Sequence, residues 1–396
     1  MTEVPAQAKP LPVTRTTPLD PPPELLERQR ACPVDRLLYP DGSEGWLITG
    51  YDQVRAALAD LRFSSRKDLL RSPIQSQEPT AAKPGFFVYT DPPEHTRYRR
   101  LLTGLFTLRR MNQLGDRVRE IAADALDAME QAGPPVDLVP AFALAVPSLV
   151  ICELLGVPYE DREVFQHNST VIQDTNTPIE QAYAALEAMQ KYLAGLVERR
   201  RGPDPSDDIL GGLAAHEELT VEEVTNVCFL LLAAGHETTA NMLSLGTYAL
   251  LTNPDQLAAL RAGETTMESA VEELMRYLTV NHYGPIRGVL EDFEFEGCPM
   301  KAGETVTLSA FAANRDPKHY ADPDRLDFAR GGRGQLSFGH GIHQCIGQQL
   351  ARIEMRIGFE ALFERFPGLH LAVPAEEVRM RDTMLIYGVA SMPVAW

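Results

Sequence analysis

The stretch Phe338-Gly339-His340-Gly341-Ile342-His343-Gln344-Cys345-Ile346-Gly347, with a helical run from Gln348, decides the reading of this chain. A cysteine binds a metal as its thiolate, and the thiolate is favoured by nearby backbone N–H groups and by the positive end of a helix. The run that starts after Cys345 supplies both. Glycine at 339, 341 and 347 removes bulky side chains and permits unusual backbone angles, so a flat macrocycle could approach the sulfur closely. Phe338 is placed to shield the sulfur from water, which would help set the potential of a bound iron. The competing reading is a glycine-rich turn with a chance cysteine ahead of a helix.

The rest of the composition narrows the class. The other cysteines, Cys32, Cys152, Cys228 and Cys298, are scattered and form no Cys-x-x-Cys pair with each other or with Cys345. That argues against a disulfide framework and a structural zinc site. A chain of 396 residues, 44% hydrophobic, can bury a large core. Thirty prolines and 28 glycines are near average usage and give no sign of disorder. The proline-rich start lacks the apolar core of a secretory signal. The longest apolar stretch, Ala141 to Cys152, falls short of the roughly 18–20 residues that span a bilayer, so a cytoplasmic protein is expected. A net charge of -18 disfavours nucleic acid and anionic membrane as partners.

Helical periodicity dominates, over about 51–59, 93–106, 113–132, 140–155, 160–175, 178–201 and 254–280. The first residues, 1–20 and on to about Arg30, read as an extended arm. A short strand is expected at Trp46 to Thr49. A loop from about Phe63 to Tyr89 has the length of a functional lid. Strand patterns cluster late, at about 285–296, 304–309 and 383–395. The whole of 1–396 reads as one domain, mainly α with a small β-rich region. The longest helix runs from Thr220 to Leu251, opened by the capping box Thr220-x-x-Glu223 and stopped by Asn253-Pro254. Its midpoint is Ala234-Gly235-His236-Glu237-Thr238-Thr239. Glycine costs about 1 kcal/mol in a helix interior and paired threonines are unfavourable there. A local rule broken mid-helix often marks function. Gly235 would admit a ligand to the backbone, and Thr238 would bond back to a carbonyl and loosen the helix. The plain alternative is a buried helix that happens to hold a polar turn. His236 points about 100° away from Glu237 and is read as facing another helix.

The pattern Phe338-x-x-Gly341-x-His343-x-Cys345-x-Gly347 resembles the haem-binding signature of the cytochrome P-450 superfamily, closest to soluble actinobacterial members that tailor secondary metabolites. The resemblance runs from the Trp46 strand to Trp396. It implies a cytochrome P-450 fold with haem b between the long central helix and the Cys345 loop, and Cys345 as the iron ligand. Phe338, Gly339, Gly347, Ala234 and Gly235 would border the haem. Glu237 and Thr238 match the family's acid–alcohol pair for oxygen cleavage, Thr238 bonding the oxygen and Glu237 relaying protons. His95, Arg99, Arg287 and His343 match propionate contacts; His95 and Arg99, taken alone, would read as a solvated helix face. Glu273 and Arg276, at i, i+3, match the family's Glu-x-x-Arg motif, with Arg325 as the expected third member. A surface pair is the alternative.

The resemblance implies a monooxygenase that hydroxylates or epoxidises a bulky hydrophobic metabolite, a polyketide or macrolide, in antibiotic biosynthesis. No Gly-x-Gly-x-x-Gly or P-loop is present, so electrons come from outside, in this family from a ferredoxin and its reductase. Arg97, Arg100, Arg109, Arg110, Arg333, Arg352 and Arg356 are candidates for docking such a partner, and a monomer is expected. The pocket would draw on the 63–90 loop, the 160–190 helices, Ala233, Ala234, Val280 to Pro285, and Met384 to Ile386. A peroxide-driven peroxygenase on the same fold, a non-catalytic haem protein that binds a gas, and a haem-free helical binding module are the alternatives.

Overall fold

The structure is a computed structural model that describes residues 7–201 and 208–396, so the first six residues of the expected arm lie outside it. Residues 7–22 form no regular element beyond a bridge between Lys9 and Leu37. The arm ends sooner than expected, because Pro23–Ala31 is helical (α1). Proline suits its first position, where the missing N–H would be unbonded anyway. Burial of Leu25 and Leu26 holds so short a helix, which local propensity could not.

β1 (Val34–Leu38) and β2 (Glu44–Ile48) form an antiparallel pair, α2 (Tyr51–Ala59) follows as expected, and β3 is Phe63–Ser64. Then come α3 (Glu94–Leu105), α4 (Leu108–Ala132), β4 (Val136–Asp137), α5 (Ala145–Leu155), α6 (Arg162–Gln173), α7 (Ile179–Arg200), α8 (Ile209–Ala214) and α9 (Val221–Thr252). The helix expected over 254–280 is two, α10 (Pro254–Arg261) and α11 (Met267–Leu278). Gly263 breaks it in the left-handed region at φ 72°, and the Thr266 hydroxyl caps α11 by accepting from Ser269 N–H. β5 (Ile286–Val289), β6 (Phe293–Phe295), β7 (Cys298–Met300), β8 (Thr305–Leu308), α12 (Ala310–Ala313), α13 (Gln348–Arg365), β9 (His370–Leu371), β10 (Arg379–Met380), β11 (Val389–Ser391) and β12 (Pro393–Ala395) complete the chain.

The chain divides into two compact units, each built from discontinuous stretches. The first takes the chain up to Ala82, Val88–Thr96 and Ala259–Cys345. Its five-stranded sheet runs β1-β2-β8-β5-β3, with β2 and β8 parallel. Trp46, Ile48, Val54, Leu58, Val306 and Leu308 make its core. The second takes Lys83–Phe87, Arg97–Ala258 and Ile346–Trp396. It is helical, with α5, α7 and α13 against α9. Gly246 lets α13 come close, since a Cβ there would sit 2.5 Å from the Phe359 ring. Among the described residues no helix is long and apolar enough to cross a membrane.

Candidate functional site

In the first unit the Cys345 loop is held by its own backbone. Cys345 N–H donates to the Phe338 carbonyl at 2.9 Å, Gly339 N–H to Leu336 at 2.8 Å and Gln344 N–H to Gly341 at 3.1 Å. Gly341 sits at φ 73°, and a Cβ there would lie 2.4 Å from the Leu58 carbonyl oxygen, so only glycine fits. Gly339, at φ 70°, has open space where its Cβ would point. Phe338 is buried and Cys345 is exposed. Gly347, also with open space at its Cβ, is the N-cap of α13, so the thiol stands just ahead of a helix start.

His343 and His95 lie together, ring centroids 4.1 Å apart, with His95 buried. Arg287, on β5, is 7% exposed, yet its guanidinium donates to the carbonyl of Ile286 at 2.8 Å and makes no ion pair with a carboxylate among the described residues. Burial pushes it down to about 10, against a modest opposing pull from Asp91. Asp91 is already engaged by Ser64 Oγ and by Ser65 N–H. A buried cation without an anion is costly, so this site suits a ligand that brings its own negative charge. A thiol, two histidines and an unpaired buried guanidinium form a donor set that fits an iron macrocycle bearing carboxylates.

Glu273 and Arg276 are both fully buried on α11 and meet in a two-pronged ion pair, 2.8 Å on each arm. The guanidinium that joins them is Arg330, whose Nε lies 3.1 Å from Glu273 Oε1. Arg325 does not: its side chain is exposed, and only its carbonyl accepts from Arg276 Nη2 at 3.3 Å. Arg276 also donates to the carbonyls of Asn314 and Pro323. Asn314 in turn donates to Ser337 Oγ and accepts from Leu336 N–H, next to Phe338. The network thus anchors the entry to the cysteine loop.

In the second unit α9 carries the capping box seen in the sequence and is almost wholly buried. An incompletely buried stripe, Leu230, Ala233, Ala234, Gly235 and Thr238, runs along its middle at helical spacing. Thr238 Oγ1 donates to the Ala234 carbonyl at 2.7 Å, while the helix stays continuous rather than opening. Gly235 also serves packing, because a Cβ there would lie 2.7 Å from Ile151 Cδ1 on α5. Arg99 lies on α3, as does His95. His236 is fully buried against the Phe165 ring of α6, its Nδ1 2.8 Å from the Leu232 carbonyl. Burial lowers its pKa, so the ring is neutral.

Glu237 is buried and held by two groups that the sequence reading did not single out. Arg381 Nη1 lies 2.8 Å from Glu237 Oε2, and Asn241 Nδ2 lies 3.3 Å from the same oxygen. Asn241 was findable, standing at i+4 on the same helix. Arg381 was not, since nothing local links it to Glu237 at a sequence separation of 144.

A family model described as cytochrome P-450 matches residues 38–386. Cytochrome P-450 105C1 of a Streptomyces species is 48% identical, covering 95% of each chain. Pentalenic acid synthase of Streptomyces avermitilis is 43% identical over 97% of this chain and 96% of its own. Among solved structures, CYP105P1 in complex with filipin I matches with a TM-score of 0.93 at 41% identity, covering 98% of this chain and 99% of that one. The LnmA cytochrome P-450 hydroxylase of the leinamycin biosynthetic pathway of Streptomyces atroolivaceus matches at 0.87 and 43%, covering 97% and 98%.

Proposed function

The chain belongs to the cytochrome P-450 family, and we propose that, as a haem b monooxygenase, it oxidises a bulky, largely apolar secondary metabolite of polyketide or macrolide type. The electrons come from a separate ferredoxin and ferredoxin reductase, and the enzyme works as a cytoplasmic monomer. The observation that carries the cofactor reading is Arg287, a buried guanidinium with no carboxylate ion pair among the described residues. The substrate class rests on the relatives, one a pentalenic acid synthase and another crystallised with filipin I.

Cys345 would give the iron its thiolate, favoured by the start of α13. Arg287, His95, His343 and Arg99 would take the propionates, the arginines through paired N–H donors. Phe338, Gly339, Gly347, Ala234 and Gly235 would border the ring. When bound, the haem supplies an iron centre that activates dioxygen. The chain's own part is protonation and water control. The Thr238 hydrogen is committed to Ala234, so its oxygen is left to accept from water or another donor. Glu237 is the buried acid one residue away and relays protons from outside.

Cys345→Ser tests the central bond. The reduced, carbon-monoxide-treated protein should lose its red-shifted Soret band; an unchanged band would mean that another ligand holds the iron. Titrating candidate metabolites into the ferric protein, and watching for the spectral shift that accompanies loss of the iron's water, tests the substrate class. A shift with small polar acids and none with macrolides would reject it.

A further inference from the structure

We propose that Arg381 is a positioning residue for this reaction: it fixes the Glu237 carboxylate and ties it to the loop joining β10 to β11. The inference rests on Glu237 being the proton-relay acid. Glu237 is 3% exposed and Arg381 15%, so their 2.8 Å contact is a sheltered ion pair, not a surface one. Asn241 completes the clamp, donating to Glu237 Oε2 and taking Arg381 Nη1 on its own Oδ1 at 3.4 Å. The other carboxylate oxygen lies 3.8 Å from Nε2 of the neutral His236, which supplies no competing charge.

Arg381 cannot move alone. Its N–H donates to the Gly388 carbonyl at 2.9 Å, and its carbonyl accepts from Met384 N–H at 3.2 Å. Gly388 is pressed on Asn241, where a Cβ would lie 1.9 Å from Oδ1. The loop is also pinned to the end of α6. Thr175 N–H and Oγ1 both donate to the Thr383 carbonyl, and Leu385 N–H donates to Gln173. The 383–386 and 173–177 segments thus form one bonded piece, and that piece carries the guanidinium that orients the acid. Residues 173–177 and Met384 to Ile386 lie within the regions read from sequence as lining the substrate pocket. A substrate that shifts them shifts Glu237, so proton delivery is matched to occupancy.

The test compares Arg381→Met, Arg381→Lys, Glu237→Gln and the Arg381→Met/Glu237→Gln double variant in the full-length holoenzyme. Arg381→Met should raise peroxide released per NAD(P)H by about tenfold and enlarge the solvent isotope effect on kcat. KM should stay within about twofold. Arg381→Lys should recover most of the coupling, and the double variant should be no worse than Glu237→Gln. A readout independent of turnover is the infrared spectrum of the resting ferric protein. Arg381→Met leaves the Glu237 carboxylate without its guanidinium contact, so a Glu237 carboxyl band at a new frequency should appear and be missing in the double variant. If Glu237→Gln uncouples while Arg381→Met stays coupled with no new band, the role of Arg381 is wrong and that of Glu237 stands. Additive losses in the double variant would also overturn it. If Glu237→Gln stays fully coupled, the relay assignment fails and this inference falls with it.

Discussion

Arg287 shows how a single residue can point to the chemistry of a ligand. A guanidinium that is 7% exposed and has no carboxylate in ion-pair contact among the described residues carries a desolvation penalty that the Ile286 carbonyl and the charge of Asp91 offset only in part. Its pKa, lowered by burial to about 10, still leaves it charged at neutral pH. Arg287→Met should therefore leave the haem-stripped protein as stable as the parent or more so, by up to about 1–3 kcal/mol. It should also cut the fraction of protein that retains haem. Thermal melts of the stripped protein and haem-to-protein ratios check both; a lower melt with unchanged haem content would reject the assignment. The signature around Cys345 was legible because its glycines and histidines are consecutive in sequence. The cation joining Glu273 and Arg276 was not. Arg325 and Arg330 both lie in an aperiodic stretch, and only the way the chain turns there puts Arg330 inward and Arg325 outward.

At the scale of elements, α9 was readable end to end because its capping box, apolar run and Asn253-Pro254 stop are all local signals. The split between α10 and α11 was missed because apolar spacing continues through Gly263 and hides one left-handed residue. The strand pattern read over about 383–395 holds only for β11 and β12; its first part lies in the β10–β11 loop, which is fixed by contacts to α6 and α9. The start of α9 yields a pH prediction. Burial alone would raise the Glu223 carboxyl, but bonds from Tyr98, the Thr220 N–H and Arg97 outweigh it and draw it down to about 2. Its ordinary value is 4.5. A depressed carboxylate stabilises the fold fully above its unfolded value and loses that contribution as pH falls through the folded one. The parent should exceed Glu223→Gln in stability by about 1–3 kcal/mol above pH 5, and the gap should close as pH drops from about 4.5 toward 2. Urea melts of both proteins across that range measure it. A gap that does not change with pH would show that the carboxylate's charge is not what matters.

Over the whole molecule, 55 acidic residues outnumber 37 basic ones, and the net charge of -18 opposes an acidic ferredoxin. Not every arginine expected to attract such a partner can serve, because Arg97 is spent on Glu223. Arg356 is likewise engaged, by Glu360 at 3.3 Å; Arg109 is exposed at the start of α4, and Arg352 lies on α13, which packs against α4 within the second unit. They were singled out together in the sequence, but no local spacing links them: the two helices are far apart along the chain and packing unites them. Screening length decides which charges the partner feels. At about 0.01 M salt it is near 30 Å and the whole acidic surface repels; at about 0.1 M it is near 10 Å and the nearby arginines prevail. The rate of reduction by ferredoxin should therefore rise as salt increases toward about 0.1 M and fall beyond it. Arg109→Glu combined with Arg352→Glu should abolish the falling limb and lower the rate at 0.1 M by about tenfold. Stopped-flow measurement of haem reduction across that salt series gives the curve. A rate that climbs steadily to high salt in the parent would mean that repulsion alone governs the encounter and that these arginines do not dock the electron donor.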